Sequence, residues 1–275
     1  MLLVSPHVAP SCLHRLKSSA LSTTSYCSGV TLRRKPTASC SYKEISCRPA
    51  RTILSPKLEA NHTMGGDPFV LGLTGSIGMG KSAVAELFRK IEVPVMDSDQ
   101  VVHDLYARGG AAVGPVGEAF PGVIIDEAIS RPELGKCVLN NDANMKRLES
   151  IVHPLVAIER QKFVSQMASA HKKLVVLDIP LLYETGSETV VDAVAVVSTG
   201  DADVQRQRVL ARPGMTAEKY EAILARQIPD EEKRRRADYT IDTGCALQET
   251  EAMVAGLVQM LCALREEPAD VAVGF

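Results

Sequence analysis

Apolar residues follow two rhythms along this chain. Five short runs, Phe69–Leu73, Val93–Met96, Leu174–Leu177, Ala193–Val197 and Tyr239–Ile241, carry almost no polar alternation. Such runs suit strands covered on both faces, as in a parallel sheet. Between them the apolar spacing changes to three and four. Val84, Leu87, Phe88 and Ile91 mark one helical face, and Met145, Leu148, Ile151, Val152, Leu155 and Ile158 mark another. Met253, Leu257, Met260, Leu261 and Leu264 mark a third, on a helix over roughly Leu247–Leu264 that should pack back on the sheet. Strands alternating with helices predict an α/β fold, a five-stranded parallel sheet with helices on both faces. Two connections are too long for simple crossovers. Residues of about 100–171 predict a helical insertion large enough to be a small substrate lobe, and about 204–236, rich in Arg and Glu, a helical lid. The core would then comprise 67–99, 172–203 and 237–265 of a domain spanning about 67–270.

The first 66 residues are a different polymer. No Asp or Glu occurs before Glu44, while Arg15, Lys17, Arg33, Arg34, Lys35 and Lys43 lie among many Ser and Thr. A basic, hydroxyl-rich, acid-poor leader is the composition of an organelle transit peptide, for plastid or mitochondrion. The alternatives are a disordered tail or upstream sequence before a start at Met64, with a cytoplasmic protein in either case. A secretory signal fits less well, for want of an apolar core behind the basic start.

The remaining composition narrows the classes. Of 275 residues, 45% are hydrophobic and 23% charged, with a formal net charge of −2, so no overall attraction draws the chain to nucleic acid or an anionic membrane. No run of about 18 apolar residues suggests a membrane span. The seven cysteines form no C-x-x-C pair, which points to a reduced, intracellular protein without a disulfide framework or zinc site. The run Glu231–Arg236 mixes both signs and reads as a solvated helix. Nothing in the sequence indicates an oligomeric state.

The chemistry sits in Gly75-Ser76-Ile77-Gly78-Met79-Gly80-Lys81-Ser82, which fits the phosphate-binding pattern G-x-x-x-x-G-K-[ST] between a strand and a helix. Its backbone N–H groups would curl around phosphate oxygens, Lys81 would reach the β/γ-phosphates, and the Ser82 hydroxyl would ligate Mg²⁺. Asp97-Ser98-Asp99 follows the second strand, at the edge where ligands of parallel sheets gather. One of these acids could accept the proton of an attacking alcohol, or both could simply cap the next helix. Asp178 ends the third strand, the place of an acid that holds Mg²⁺ through water, or of a plain turn residue.

Several blocks together resemble the dephospho-coenzyme A kinase family. They are Leu73–Ser82, Val95–Asp99, Leu148–Pro154 with its His153-Pro154, Asp178–Glu184 with Pro180-Leu181-Leu182, Gln205–Arg208 with Ala211-Arg212 and Arg226-Gln227, and Ala237–Asp242. The resemblance implies a P-loop kinase core with an acceptor-binding lobe and a lid. It implies transfer of the ATP γ-phosphoryl group, with Mg²⁺, to the ribose 3′-hydroxyl of dephospho-coenzyme A, while charge and hydropathy add the expectation of no nucleic-acid partner and no membrane span. By the same carry-over Asp99 is the general base and Lys81 and Arg212 act on the transferring phosphate. Residues 75–82 bind ATP, Ser82, Asp178 (through water) and Asp97 attend the metal, and His153, Leu181 and Leu182 meet the acceptor. Arg208 would pair with an acid or phosphate. His153 reads equally well as a satisfied core histidine beside the Pro154 kink.

One position departs from the family pattern. After Ile241-Asp242 stands Thr243-Gly244 where Asn-x-Gly is usual, which puts the adenine contacts of that loop in doubt. A GTPase-like switch would need N/T-K-x-D after Val194, and the sequence has none. A nucleoside monophosphate kinase is the nearest enzymatic rival. An inactive scaffold paralogue is disfavoured by intact Lys81, Ser82, Asp99 and Asp178.

Overall fold

The computed structural model describes residues 67–139 and 141–263. The proposed leader, Leu264 and the last residues of the expected domain lie outside these. Five strands, β1 (Phe69–Thr74), β2 (Val95–Asp97), β5 (Leu174–Asp178), β6 (Ala193–Ser198) and β7 (Tyr239–Asp242), form one parallel sheet in the order β2-β5-β1-β6-β7. A two-stranded hairpin, β3 (Ile124–Ile125) and β4 (Ala128–Ile129), lies in the insertion.

The pleat divides the apolar runs between two cores. Leu71, Leu73, Leu174, Val176, Ala195 and Val197 face α1 (Lys81–Lys90) and α9 (Leu247–Ala263), packing on Val84, Phe88, Val254, Leu257 and Leu261. Leu177, Val194 and Val196 face the other way, with Met96, Leu182, Tyr183 and Val191. Because both faces are covered, the strands needed no alternating polar residues. All three expected helical faces fail at their ends, and on the helix over Asp142–Ser169 the expected Ile158 is 49% exposed. Ile91 is the C-cap of α1 and 42% exposed. On α9 the inward positions include Thr250 and Val254, while Met260 is exposed.

Strand ends differ from the apolar runs in one consistent way. Val93 and Pro94 precede β2, and β1, β2, β5, β6 and β7 each end on a polar residue: Thr74, Asp97, Asp178, Ser198 and Asp242. Parallel pairing extends to these residues, with Asp97 opposite Asp178 and Ser198 opposite Asp242. Hydrogen bonding thus carries the sheet past its apolar stretch and sets a polar row along one edge.

The insertion contains α2 (Ser98–Tyr106), α3 (Val113–Ala119), the β3–β4 hairpin, α4 (Arg131–Val138) and the long α5 (Asp142–Ser169). Asp126 and Glu127, at φ 50° and 62°, supply the left-handed pair that a two-residue hairpin loop requires. Asn141 caps α5 by accepting the Asn144 N–H at 3.1 Å, and the helix runs unbroken through Pro154.

The segment expected to form the lid divides differently. α6 (Ala202–Leu210) and α7 (Ala217–Leu224) precede α8 (Asp230–Arg236). Gln205 and Val209 are buried, and α8 lies on the sheet, where Asp230 Oδ2 accepts from the Ser198 hydroxyl at 2.7 Å. Within the charged run Lys233 is fully buried, 2.8 Å from Glu184, so that run is not wholly a solvated helix. A buried ammonium is tolerated there because a carboxylate meets it. Residues 211–219, around Arg212, contain no buried side chain, and α7 has one, Tyr220.

Candidate active site

The phosphate loop leaves β1 at the middle of the sheet and enters α1. Gly78 and Gly80 have φ of +79° and +88°, the left-handed region that favours glycine. At Gly78 a Cβ would also stand 2.4 Å from the Val209 side chain, so α6 presses directly on the loop. Gly80 is the N-cap of α1, and its carbonyl accepts the Ala83 and Val84 N–H groups at 3.0 and 3.1 Å. The helix therefore starts at Lys81 with its positive dipole end at the loop. Met79 turns inward, 2% exposed, and its sulfur accepts the Thr199 N–H at 3.4 Å. Ser76 is buried, and its hydroxyl has no hydrogen-bond partner among the described residues. Ser82 is exposed in the first turn of α1.

Lys81 forms an ion pair with Asp178, which is 3% exposed at the end of β5. Burial pushes the Asp178 carboxyl above its ordinary value, and Lys81 pulls it part of the way back. Asp97 and Asp99 separate into two roles. Asp97 is the N-cap of α2: its Oδ1 accepts the N–H groups of Asp99 and Gln100 at 2.9 and 3.2 Å. Asp99 lies inside the first turn and caps nothing. Its carboxyl keeps a solvent-facing side, yet the walls around it desolvate it enough to raise its pKa. The positive charge of Lys81 opposes that rise, Asp97 reinforces it, and Arg131 opposes it again. A carboxylate with a raised pKa, held by no hydrogen bond or ion pair among the described residues and close enough for Lys81 to act on it, can take a proton from an alcohol.

The other sequence-derived residues fall in different places. Arg212, in the turn after α6, is exposed, with its backbone N–H on the Val209 carbonyl at 3.1 Å. Arg208 meets no acid among the described residues. It donates from Nη2 to the Thr243 carbonyl at 2.8 Å and from Nη1 to the Thr243 hydroxyl at 3.4 Å. His153 is exposed on α5, which rules out the core-histidine alternative. Leu181 is partly exposed just past β5. Leu182 is fully buried against Gly72 and Val191, so it belongs to the core behind the sheet and has no surface to offer an acceptor.

Three features escaped the sequence reading. Thr243, at the departing position, donates from its hydroxyl to the Met79 carbonyl at 2.7 Å, tying the loop after β7 to the phosphate loop. Arg131, the first residue of α4, stands 5.9 Å over the Tyr106 ring and reaches Asp99 electrostatically. Buried Tyr106 has its phenol pushed up to about 12 by desolvation, partly offset by Arg131. Gln205 and Gln227 bond the backbone of Ile77. None of these carries a spacing signal, since each contact joins segments far apart in the chain.

A glycine-rich loop running from a central parallel strand into a helix, with its lysine on the acid ending the neighbouring strand, defines a P-loop phosphotransferase. The family model for dephospho-CoA kinase matches residues 69–249. A dephospho-CoA kinase of Mesorhizobium japonicum is 54% identical over 192 residues, covering 70% of this chain and 96% of that protein. One of Novosphingobium aromaticivorans is 53% identical over 200 residues, covering 73% and 96%. A crystal structure of a Thermus thermophilus protein aligns with a TM-score of 0.61 at 31% identity, over 70% of this chain and 98% of that one. The chain belongs to the dephospho-CoA kinase family, and it is an enzyme.

Proposed function

We propose that the protein transfers the γ-phosphoryl group of ATP to the ribose 3′-hydroxyl of dephospho-coenzyme A, giving coenzyme A and ADP. The observation that carries the mechanism is the division of labour at the end of β2. Asp97 is spent on capping α2, and Asp99 stands uncapped near the Lys81–Asp178 pair. In the step itself the 3′-oxygen bonds to the γ-phosphorus as the bond from that phosphorus to the β,γ-bridging oxygen breaks. Asp99 takes the hydroxyl proton, and ADP departs. Lys81 neutralises charge on the phosphates, with Arg212 brought in from the exposed segment. Positioning and charge stabilisation supply most of the acceleration in such reactions.

The donor set suits Mg²⁺, a hard cation that prefers oxygen. Ser82 offers an exposed hydroxyl, Asp178 a carboxylate reaching through water, and Asp97 the oxygen not engaged in capping. Among the described residues no group of three His, Cys, Asp or Glu side chains could hold a metal by itself, so the nucleotide phosphates and water would complete the shell. When bound, the ion would neutralise charge on the phosphates. The insertion would hold the acceptor, with Leu181 and His153 as its candidate contacts.

A coupled assay under Mg-ATP, offering dephospho-coenzyme A, AMP, CMP and shikimate in parallel, tests the assignment. Preferential ADP release with dephospho-coenzyme A is the expected result. Faster turnover with AMP or CMP would move the protein to the nucleoside monophosphate kinases. For the leader, its basic, hydroxyl-rich composition, with no Asp or Glu before Glu44, supports import into a plastid or mitochondrion. Fusing residues 1–66 to a fluorescent protein tests this, and a diffuse cytoplasmic signal would refute it.

A further inference from the structure

The phosphate loop is gripped from outside by two glutamines whose bonds run in opposite senses. Gln205 on α6 donates from Nε2 to the Ile77 carbonyl at 2.8 Å. Gln227, between α7 and α8, accepts the Ile77 N–H on Oε1 at 3.1 Å. They come from opposite ends of the segment that carries Arg212. Gln205 is 5% exposed, and its own carbonyl lies 3.1 Å from where a Cβ on Gly78 would stand, so α6 meets the loop without slack. The residue after Gln227 is fixed too: the Ile228 N–H donates to Glu184 Oε1 at 2.9 Å, the carboxylate that also meets buried Lys233.

The Ile77 backbone belongs to neither β1 nor α1, so the sheet and helix ladders provide it with no partner. Backbone donors and acceptors removed from water need partners, and here two side chains supply them. We propose that Gln205 and Gln227 are positioning residues that clasp the Ile77 backbone, holding the phosphate loop ready for nucleotide and coupling its order to the arginine-bearing segment. The inference rests on reading residues 75–82 as a nucleotide loop, and not on the identity of the acceptor. A loop ordered in advance spares the nucleotide the entropy of ordering it.

The clasp has a chemical polarity that a packing role would lack. Position 227 needs an acceptor and no donor, so Glu can replace Gln there, while Met, of similar shape, offers only a weakly accepting sulfur. Position 205 needs a donor, so Glu would set a carboxylate against a carbonyl.

Hydrogen exchange of the Ile77 amide, followed in the full chain without nucleotide, reads the bond directly. Without nucleotide, the added charge of a Glu has no phosphate to oppose. We expect faster Ile77 exchange in Gln227→Met and near-native exchange in Gln227→Glu, with melting temperature little changed in both. Calorimetry with adenylyl imidodiphosphate and Mg²⁺ should show Gln227→Met binding roughly three- to tenfold more weakly, the loss of one neutral hydrogen bond. Gln205→Glu should weaken binding as well; if that variant does not fold, the pair at 227 decides. Unchanged Ile77 exchange in Gln227→Met, equally fast exchange in Gln227→Glu, or unchanged affinity would overturn the clasp. Calorimetry needs no acceptor. A wild-type chain that binds the analogue but leaves dephospho-coenzyme A untouched would therefore refute the proposed function alone.

Discussion

Asp97 and Asp99 differ by two positions and by one structural fact: the first precedes α2 and the second lies in its first turn. Asp99→Asn keeps the shape of the side chain but cannot accept the ribose proton. It should bind ATP and dephospho-coenzyme A nearly normally and lose about 10²–10⁴-fold in turnover, the usual worth of general-base help. Asp97→Asn should keep the cap, since Asn caps as well as Asp, and shift the Mg²⁺ dependence of the rate. A Mg²⁺ series on both variants checks the assignment, and an active Asp99→Asn would reject it. The pH dependence follows from the same carboxyl. A base works when ionised, and burial raises the Asp99 pKa. On acidification, kcat/KM should therefore begin to fall at a higher pH than an ordinary Asp, near 4, would give. Arg131 lowers that pKa, so Arg131→Met should move the acidic limb further up. Lys81→Ala should leave the fold intact and cost roughly a hundredfold or more in rate, measured in single-turnover transfer. Lys233 is a different case, its ammonium fully buried on Glu184. Lys233→Ala strands that carboxylate and should cost about 3–5 kcal/mol of stability, read by urea unfolding.

The elements around the site owe their placement to contacts of different strength. α1 and α9 bury apolar faces on one side of the sheet, and α8 is anchored through Ser198, Asp230, Lys233 and Glu184 on the other. Between α6 and α8, α7 contributes one buried side chain, Tyr220, and the turn bearing Arg212 contributes none. Segments with few buried contacts open most readily. Amides of about 211–226 should exchange quickly in the free protein and slow down with a bisubstrate analogue bound. Those of α8 should be protected in both states. Equal protection of 211–226 with and without the analogue would deny that this stretch closes. The expected lid of 204–236 was drawn from the length and charge of the connection and from the resemblance, and charge did not distinguish a solvated helix from one that turns a single lysine inward. The periodicity of α9 misled at Met260 for a similar reason. A helix resting on a twisted sheet buries the face its axis angle selects, and an apolar residue at the margin of that face stays exposed.

For the molecule as a whole, the described residues from 67 onward contain the sheet, both cores and every residue assigned to the chemistry. A chain beginning at Met64 should fold with the melting temperature of the full chain and the same turnover, and a marked drop in either would show that the leader contributes to the body. The strand runs, the phosphate loop and the acids at the strand ends were legible in the sequence. Each is a local pattern: continuous apolar residues for a strand covered on both faces, glycines for left-handed backbone, a carboxylate where a strand stops. The resemblance of the ordered blocks added the acceptor. Tertiary structure decided what local pattern leaves open. It showed that Asp97 caps while Asp99 is free, and that Leu182 serves the core. It placed Arg208 on Thr243, and Thr243 and two glutamines on the phosphate loop. Each of these contacts except the cap joins segments that are distant in the chain. A side chain's own neighbours fix its backbone, but its partner is fixed by which strand lies beside which, and the order β2-β5-β1-β6-β7 is a property of the folded sheet.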